Sequence, residues 1–151
     1  MIGPKTILID GIWNGAADGR TIAVIDPSTG AEFDSLARGG AAEIDAAVRA
    51  ARRAFDDGPW GRMPAVERGR ILTSIGRAIE ADFETLWRLE AADAGKPVKQ
   101  AKADITACAR YFEFYGGACD KHHGTTLPYL DGYTVLTVKE PYGVTGHVIP
   151  W

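Results

Sequence analysis

"GVTGHVIPW", residues 143–151, is one of the most strand-like stretches of this 151-residue chain, with Val144, Val148, Ile149 and Trp151 as its apolar members. Such a run makes a poor sheet edge. It suits the interior of a parallel sheet, whose strands are covered on both faces. Parallel neighbours require crossover connections of a dozen or more residues, and none follows Trp151 in this sequence. The expectation is an α/β object larger than these residues, with the terminal strand as the first of an incomplete sheet. His147 within it reads as an interior, hydrogen-bonded histidine rather than a general base.

Working back toward the N-terminus, Asp131-Gly132 precedes "YTVLTVKEP", rich in β-branched residues and hence a second strand signal. Before it the period is helical. Ala101, Ile105, Cys108, Phe112 and Tyr115 mark one helix, expected to loosen at Gly116-Gly117 and to end by Gly124. Leu72, Ile75, Ile79, Phe83 and Leu86 mark another, with Pro64 in its first turn, a potential break near Ala81-Asp82, and Gly95-Lys96-Pro97 as its stop. Ile44, Ala47, Val48, Ala51 and Phe55 mark a third, closed by Gly58-Pro59. The first 40 residues are hairpin-like: Asp10-Gly11 lies between apolar pieces, and Pro27–Gly30 separates a strand at 21–25 from one ending near Ala37. The order is strands, three helices, strands.

Composition narrows the function classes. Hydrophobic residues make up 46% and charged residues 25%, and 17 basic against 20 acidic residues give a net charge of −3. The basic residues form no patch, which argues against nucleic acid as a partner. No apolar run approaches the roughly 18–20 residues that span a bilayer, and "MIGPKTILIDG" has no secretory pattern. With two cysteines, a cytoplasmic location with reduced thiols is expected.

Few residues carry chemistry on their own. Cys108 and Cys119, eleven apart, would lie about 16 Å apart along a continuous helix, too far for a disulfide. Both read as packing residues rather than nucleophiles. His122-His123 point about 100° apart on a helix and lack a completing ligand pair, so a polar helix end is the simpler reading. In "EAADAGKP", Glu90 and Asp93 oppose a helix C-terminal dipole and need compensation. Either this is a solvated face, or Asp93 and main-chain oxygens hold a hard cation. No glycine-rich phosphate loop is present.

The motifs "IDGIW", "VIDPSTGAEF", "AVRAARRAFDDGPW", "ERGRIL", "LEAADAGKP", "YFEFYGGACDKHHGTTLP" and "KEPYGVTGHVIPW", in this order and spacing, resemble the N-terminal part of the NAD(P)-dependent aldehyde dehydrogenase superfamily. The resemblance covers nearly the whole chain. It implies an α/β fold in which 1–125 form the N-terminal part of the cofactor-binding domain, 126–141 an oligomerisation-arm strand, and 142–151 the first strand of an incomplete Rossmann-like sheet. In the family an asparagine follows "PW". That asparagine, the glycine motif near the cofactor, the general-base glutamate and the nucleophilic cysteine all match positions beyond Trp151. Neither Cys108 nor Cys119 matches that cysteine, so no catalytic residue is assigned here.

What carries over is limited. Val148, Ile149, Pro150 and Trp151 match the strand end lining the NAD or NADP site, consistent with ligand binding at strand C-termini. The Ile25 carbonyl and Asp93 match two ligands of a Na⁺ or K⁺ site whose third ligand lies elsewhere. Gly40 stands where many members have an acidic helix cap. The implied parent reaction oxidises an aldehyde to a carboxylic acid with hydride transfer to NAD(P). The implied partners are the aldehyde and further copies of the chain, as a dimer or tetramer, or a complementary chain. Three readings stay open: an N-terminal fragment inactive alone, one chain of a split enzyme, or a non-catalytic module pairing with a full-length relative.

Overall fold

The computed structural model describes residues 6–149. Three antiparallel hairpins and four helices make up its architecture. Strands β1 (Ile7–Ile9) and β2 (Ile12–Asn14) form the first hairpin. Its two-residue turn places Asp10 at φ 54° and Gly11 at φ 75°, the doubly positive conformation that aspartate and glycine tolerate best. Strands β3 (Thr21–Ile25) and β4 (Glu32–Ala37) form the second. At its turn the Asp26 carboxylate accepts the Ser28 amide at 2.8 Å, and the Asp26 carbonyl accepts the Gly30 amide at 2.8 Å. A register shift between Val24 and Ile25 marks a bulge. Strands β5 (Thr126–Leu127) and β6 (Val135–Leu136) form the third, much shorter hairpin.

Helix α1 spans Ala41–Asp56 with Gly40 as its N-cap. Glycine has no capping side chain, so Glu43 supplies the acceptor instead, taking the Gly40 amide at 2.7 Å. A short 3-10 turn, Trp60–Arg62, leads to α2 (Ala65–Ala81), which follows Pro64 directly. The helical stretch expected through residues 64–94 breaks where the sequence allowed it, near Ala81-Asp82: Asp82 leaves helical geometry, and α3 (Phe83–Ala94) begins anew. Gly95, left-handed at φ 65°, ends α3. Helix α4 (Val98–Ala118) starts after Pro97.

The helix–helix seam is α2 against α4. It is built on small residues: a Cβ on Gly69 would lie 2.4 Å from the Gly116 carbonyl oxygen, and one on Gly76 would lie 2.9 Å from that of Ala109. Backbone approach this close admits only glycine. This is why α4 continues through Gly116-Gly117 rather than loosening there, as the sequence suggested. Ala101 and Ala109 are the buried alanines of α4, Ala109 lying at the seam opposite Gly76, whereas Tyr115, placed in the apolar stripe by its spacing, is 59% exposed.

Two further expectations change. The α1 stripe is exposed, with Ile44 at 64% and Val48 at 48%, while Ala50 takes the buried position. Residues 142–149 carry no strand pairing, because a strand forms only against a neighbour that receives its amides and no described strand lies alongside. For the same reason no parallel ladder exists among the described residues. In the arm, only Val135 and Leu136 of "YTVLTVKE" are paired in a ladder.

Candidate functional site

The β3–β4 hairpin lies against α3 and α4 and leaves a cleft of about 310 Å³ between them. Its walls are Val24, Leu36, Leu86, Leu89 and Ile105, with Glu90 and Asp93 as the charged groups. The hairpin's position is fixed at the far end, where Gly95 meets the Pro27 ring so closely that a Cβ would lie 2.7 Å from Pro27 Cγ. The left-handed cap therefore serves two purposes: it ends α3 and it leaves room for the hairpin turn.

The charges at this cleft are organised by Lys96. Its ammonium donates to a Glu90 carboxylate oxygen and, at 3.1 Å, to Asp104 Oδ2. Gln100 Nε2 donates to the other Asp104 oxygen at 2.8 Å. Hydrogen bonds donated to Glu90 and then Asp104 raise the Lys96 pKa, and the Lys96 contact lowers that of Asp104. Here is the compensation that "EAADAGKP" requires at its helix end, although the Asp104 partner, eight residues further along on another helix, gave no periodic signal. Asp93, three residues beyond Glu90 on the same face of α3, has no ion pair or hydrogen bond among the described residues. Its cleft also contains Val24 of β3, whose neighbour Ile25 is not among the lining residues. Apart from Glu90 and Asp93 the lining is apolar, a sparse donor set for a hard cation, which takes roughly six or more oxygen ligands. No cluster of three acidic, histidine or cysteine ligands occurs among the described residues.

The expected cofactor edge is uncovered. Val148 is 95% exposed and Ile149 76% exposed, while Pro150 and Trp151 lie outside the described residues. His147 is exposed rather than interior, with Nε2 3.1 Å from Thr145 Oγ1. Cys108 and Cys119 are free and half-buried, and Cys119 Sγ donates to the Tyr115 carbonyl at 3.2 Å. His122 and His123 follow the end of α4 as exposed residues.

Two structural residues were missed in the sequence. Glu43 accepts the Ala17 amide at 2.7 Å as well as that of Gly40, tying the β2–β3 loop to the start of α1. An acid three residues after a helix start was the available signal. Trp87 is 9% exposed, with Arg88 Cζ 4.4 Å and Lys102 Nζ 4.6 Å from its ring. It braces α3 against α4 by apolar burial and cation–π contact.

Hairpins leading into packed helices, followed by a short third hairpin, make up a partial α/β fold. The model of the aldehyde dehydrogenase family matches residues 13–151, and the chain belongs to that family. It is 44% identical, over all of its length, to aldehyde dehydrogenase family 2 member B4 (mitochondrial) of Arabidopsis thaliana, spanning 28% of that protein. A solved chain from Burkholderia cenocepacia is 56% identical, with a TM-score of 0.84 over 89% of this chain and 28% of that one. A betaine aldehyde dehydrogenase variant from Staphylococcus aureus, solved in complex with NAD⁺, is 31% identical, with a TM-score of 0.76 over 80% of this chain and 24% of that one. The chain thus spans little more than a quarter of the length of the curated relatives it matches. No helix among the described residues is long and apolar enough to cross a membrane.

Proposed function

We propose that this chain is the N-terminal part of an NAD(P)-dependent aldehyde dehydrogenase and is inactive alone. Together with the remaining family segments it oxidises an aldehyde to a carboxylic acid, the nicotinamide cofactor accepting the hydride. Val148, Ile149, Pro150 and Trp151 contribute the strand end that lines the cofactor. The Ile25 carbonyl and Asp93 supply two ligands to a Na⁺ or K⁺ ion. The β5–β6 arm pairs with another subunit in a dimer or tetramer.

The observation carrying this reading is uncovered surface. The chain exposes 11633 Å², whereas a compact monomer of its 16.2 kDa mass would expose about 7,500 Å². Large apolar side chains are among the exposed groups: Tyr111, Phe114 and Tyr115 on α4, Ile44 and Val48 on α1, and Val148 and Ile149 beyond the arm. Relatives of which the chain spans about 28% supply the segments that would cover them. At roughly 25 cal/mol per Å² of apolar area, leaving even a few hundred Å² uncovered forfeits several kcal/mol, comparable to a domain's whole stability of about 5–15 kcal/mol.

The test is to prepare the chain alone and together with the complementary segment, then measure aldehyde-dependent NADH or NADPH production. Activity only in the combined preparation supports the proposal. Turnover by the purified chain alone overturns it. Reading the coding DNA past Trp151 separates the variants: an in-frame asparagine codon marks one polypeptide, and a stop codon with a separate downstream gene marks a split enzyme.

A further inference from the structure

We propose that the C-terminal end of α1, through Phe55 and Arg52, positions the cofactor edge: it holds the left-handed turn at Gly143 and so sets the direction in which residues 144–149 leave the body of the chain. The proposal rests on the reading of Val148, Ile149, Pro150 and Trp151 as the strand end lining the nicotinamide cofactor. Burial singles out the point of attachment. From Leu136 to Ile149, Gly143 and Val144 are half-buried and the other described residues are exposed. No ladder holds residues 142–149 either, so their direction depends on what this point touches.

Gly143 faces α1. A Cβ built on it would lie 3.5 Å from Arg52 Nη1 and 3.7 Å from Cε1 and Cζ of the Phe55 ring. Those are ordinary contact distances, so space is not what selects glycine here. Its φ of 92° is, because side chains other than glycine rarely adopt that region. Arg52 Cζ stands 5.6 Å from the centre of the Phe55 ring, and Arg52 Nη1 lies 3.6 Å from Asp56 Oδ1 one helical turn on. Ring and guanidinium thus offer the turn one continuous surface. Beside it a cleft of about 470 Å³ separates Trp60 and Arg68 from Tyr142 and Thr145. The segment therefore meets the helices at a narrow place and is not packed along its length. A contact of this kind fixes a direction, and losing it leaves residues 144–149 free to swing. Val148 and Ile149 are 95% and 76% exposed, open to a ligand wherever they are aimed. If the required direction were held only about a tenth of the time, the apparent affinity would fall roughly tenfold.

The test has two readouts. In the full chain alone, nitrogen-15 relaxation reports order at Gly143 and Val144; Phe55→Ala should lower their order parameters from about 0.85 toward 0.6 or less. In the chain combined with its complementary segment, nucleotide fluorescence without aldehyde gives the Kd for NADH or NADPH. Phe55→Ala and Gly143→Ala should raise that Kd roughly tenfold and raise the KM for the oxidised nucleotide, with the KM for the aldehyde unchanged. Phe55→Met, which keeps an apolar chain of similar reach, should recover most of the loss. Trp87→Leu, a destabilising change on α3, should leave the Kd at the parent value. Unchanged order parameters in Phe55→Ala would show that α1 does not hold the turn, and the proposal fails. Lowered order with an unchanged Kd, or equal weakening by Phe55→Ala and Trp87→Leu, would make the contact structural only, and the proposal fails again. If the parent combination binds neither NADH nor NADPH, the reading of the cofactor edge itself fails, and the proposal with it.

Discussion

Gly69→Ala tests the α2–α4 seam. By local propensity this change should help, since alanine is favoured over glycine in a helix interior by about 1 kcal/mol. The seam opposes it. The added Cβ would stand 2.4 Å from the Gly116 carbonyl oxygen and 3.6 Å from Cys119 Cβ. Main-chain atoms of a packed helix cannot rotate aside as a flexible side chain would, so the helices must separate by something approaching 1 Å along their tightest contact. Overpacking of this kind costs about 1–3 kcal/mol, and contact with backbone puts it at the upper end. The net is a loss of about 2 kcal/mol, or about 4–8 °C in melting temperature for a chain of this size. Gly117→Ala is the internal control: it lies in the last turn of α4 and its Cβ meets nothing within 4 Å, so propensity acts alone and stability should rise by a few tenths of a kcal/mol. Far-UV circular dichroism during thermal and urea unfolding reads both. A Gly69→Ala chain as stable as its parent would refute the close crossing, and with it the account of why α4 stays helical through residue 117.

Gly95→Ala should destabilise through two effects, the left-handed φ of 65° and a Cβ 2.7 Å from Pro27 Cγ; the left-handed backbone alone costs about 1–2 kcal/mol, and a melting temperature equal to the parent's would contradict this. Glu43 has its pKa lowered by the Gly40 and then the Ala17 amides. Its stabilisation is therefore present above the usual glutamate value of 4.5 and is lost as pH falls through the depressed folded value. Amide exchange at Ala17 should accelerate on acidification beyond the intrinsic trend, and Glu43→Gln should remove that extra pH dependence. Trp87→Leu should keep most of the apolar burial but lose the cation–π contacts from Arg88 and Lys102, worth about 0.5–1 kcal/mol each at exposed sites, measured as a lower urea midpoint at unchanged slope.

Local rules in the sequence were enough for the turns and the helix ends. Asp10-Gly11, Pro27–Gly30 and Gly95-Lys96-Pro97 carry their instructions within two to four residues, through tolerance of positive φ and the missing proline amide, and the structure follows them. The order of the motifs likewise suffices to place the chain in its family. Which apolar faces are buried was decided only in three dimensions. Ile44 and Val48 on α1 obey helical spacing and yet face outward, because burial depends on what packs opposite and no described segment does. Gly69 and Gly116 look like helix breakers one at a time. Only the crossing shows that each makes room for the other's backbone. The same limit applies at the cleft: Glu90 and Asp93 are equivalent in the sequence, and the arrival of Lys96 with Asp104 from α4 is what makes one of them a paired charge and the other a free one.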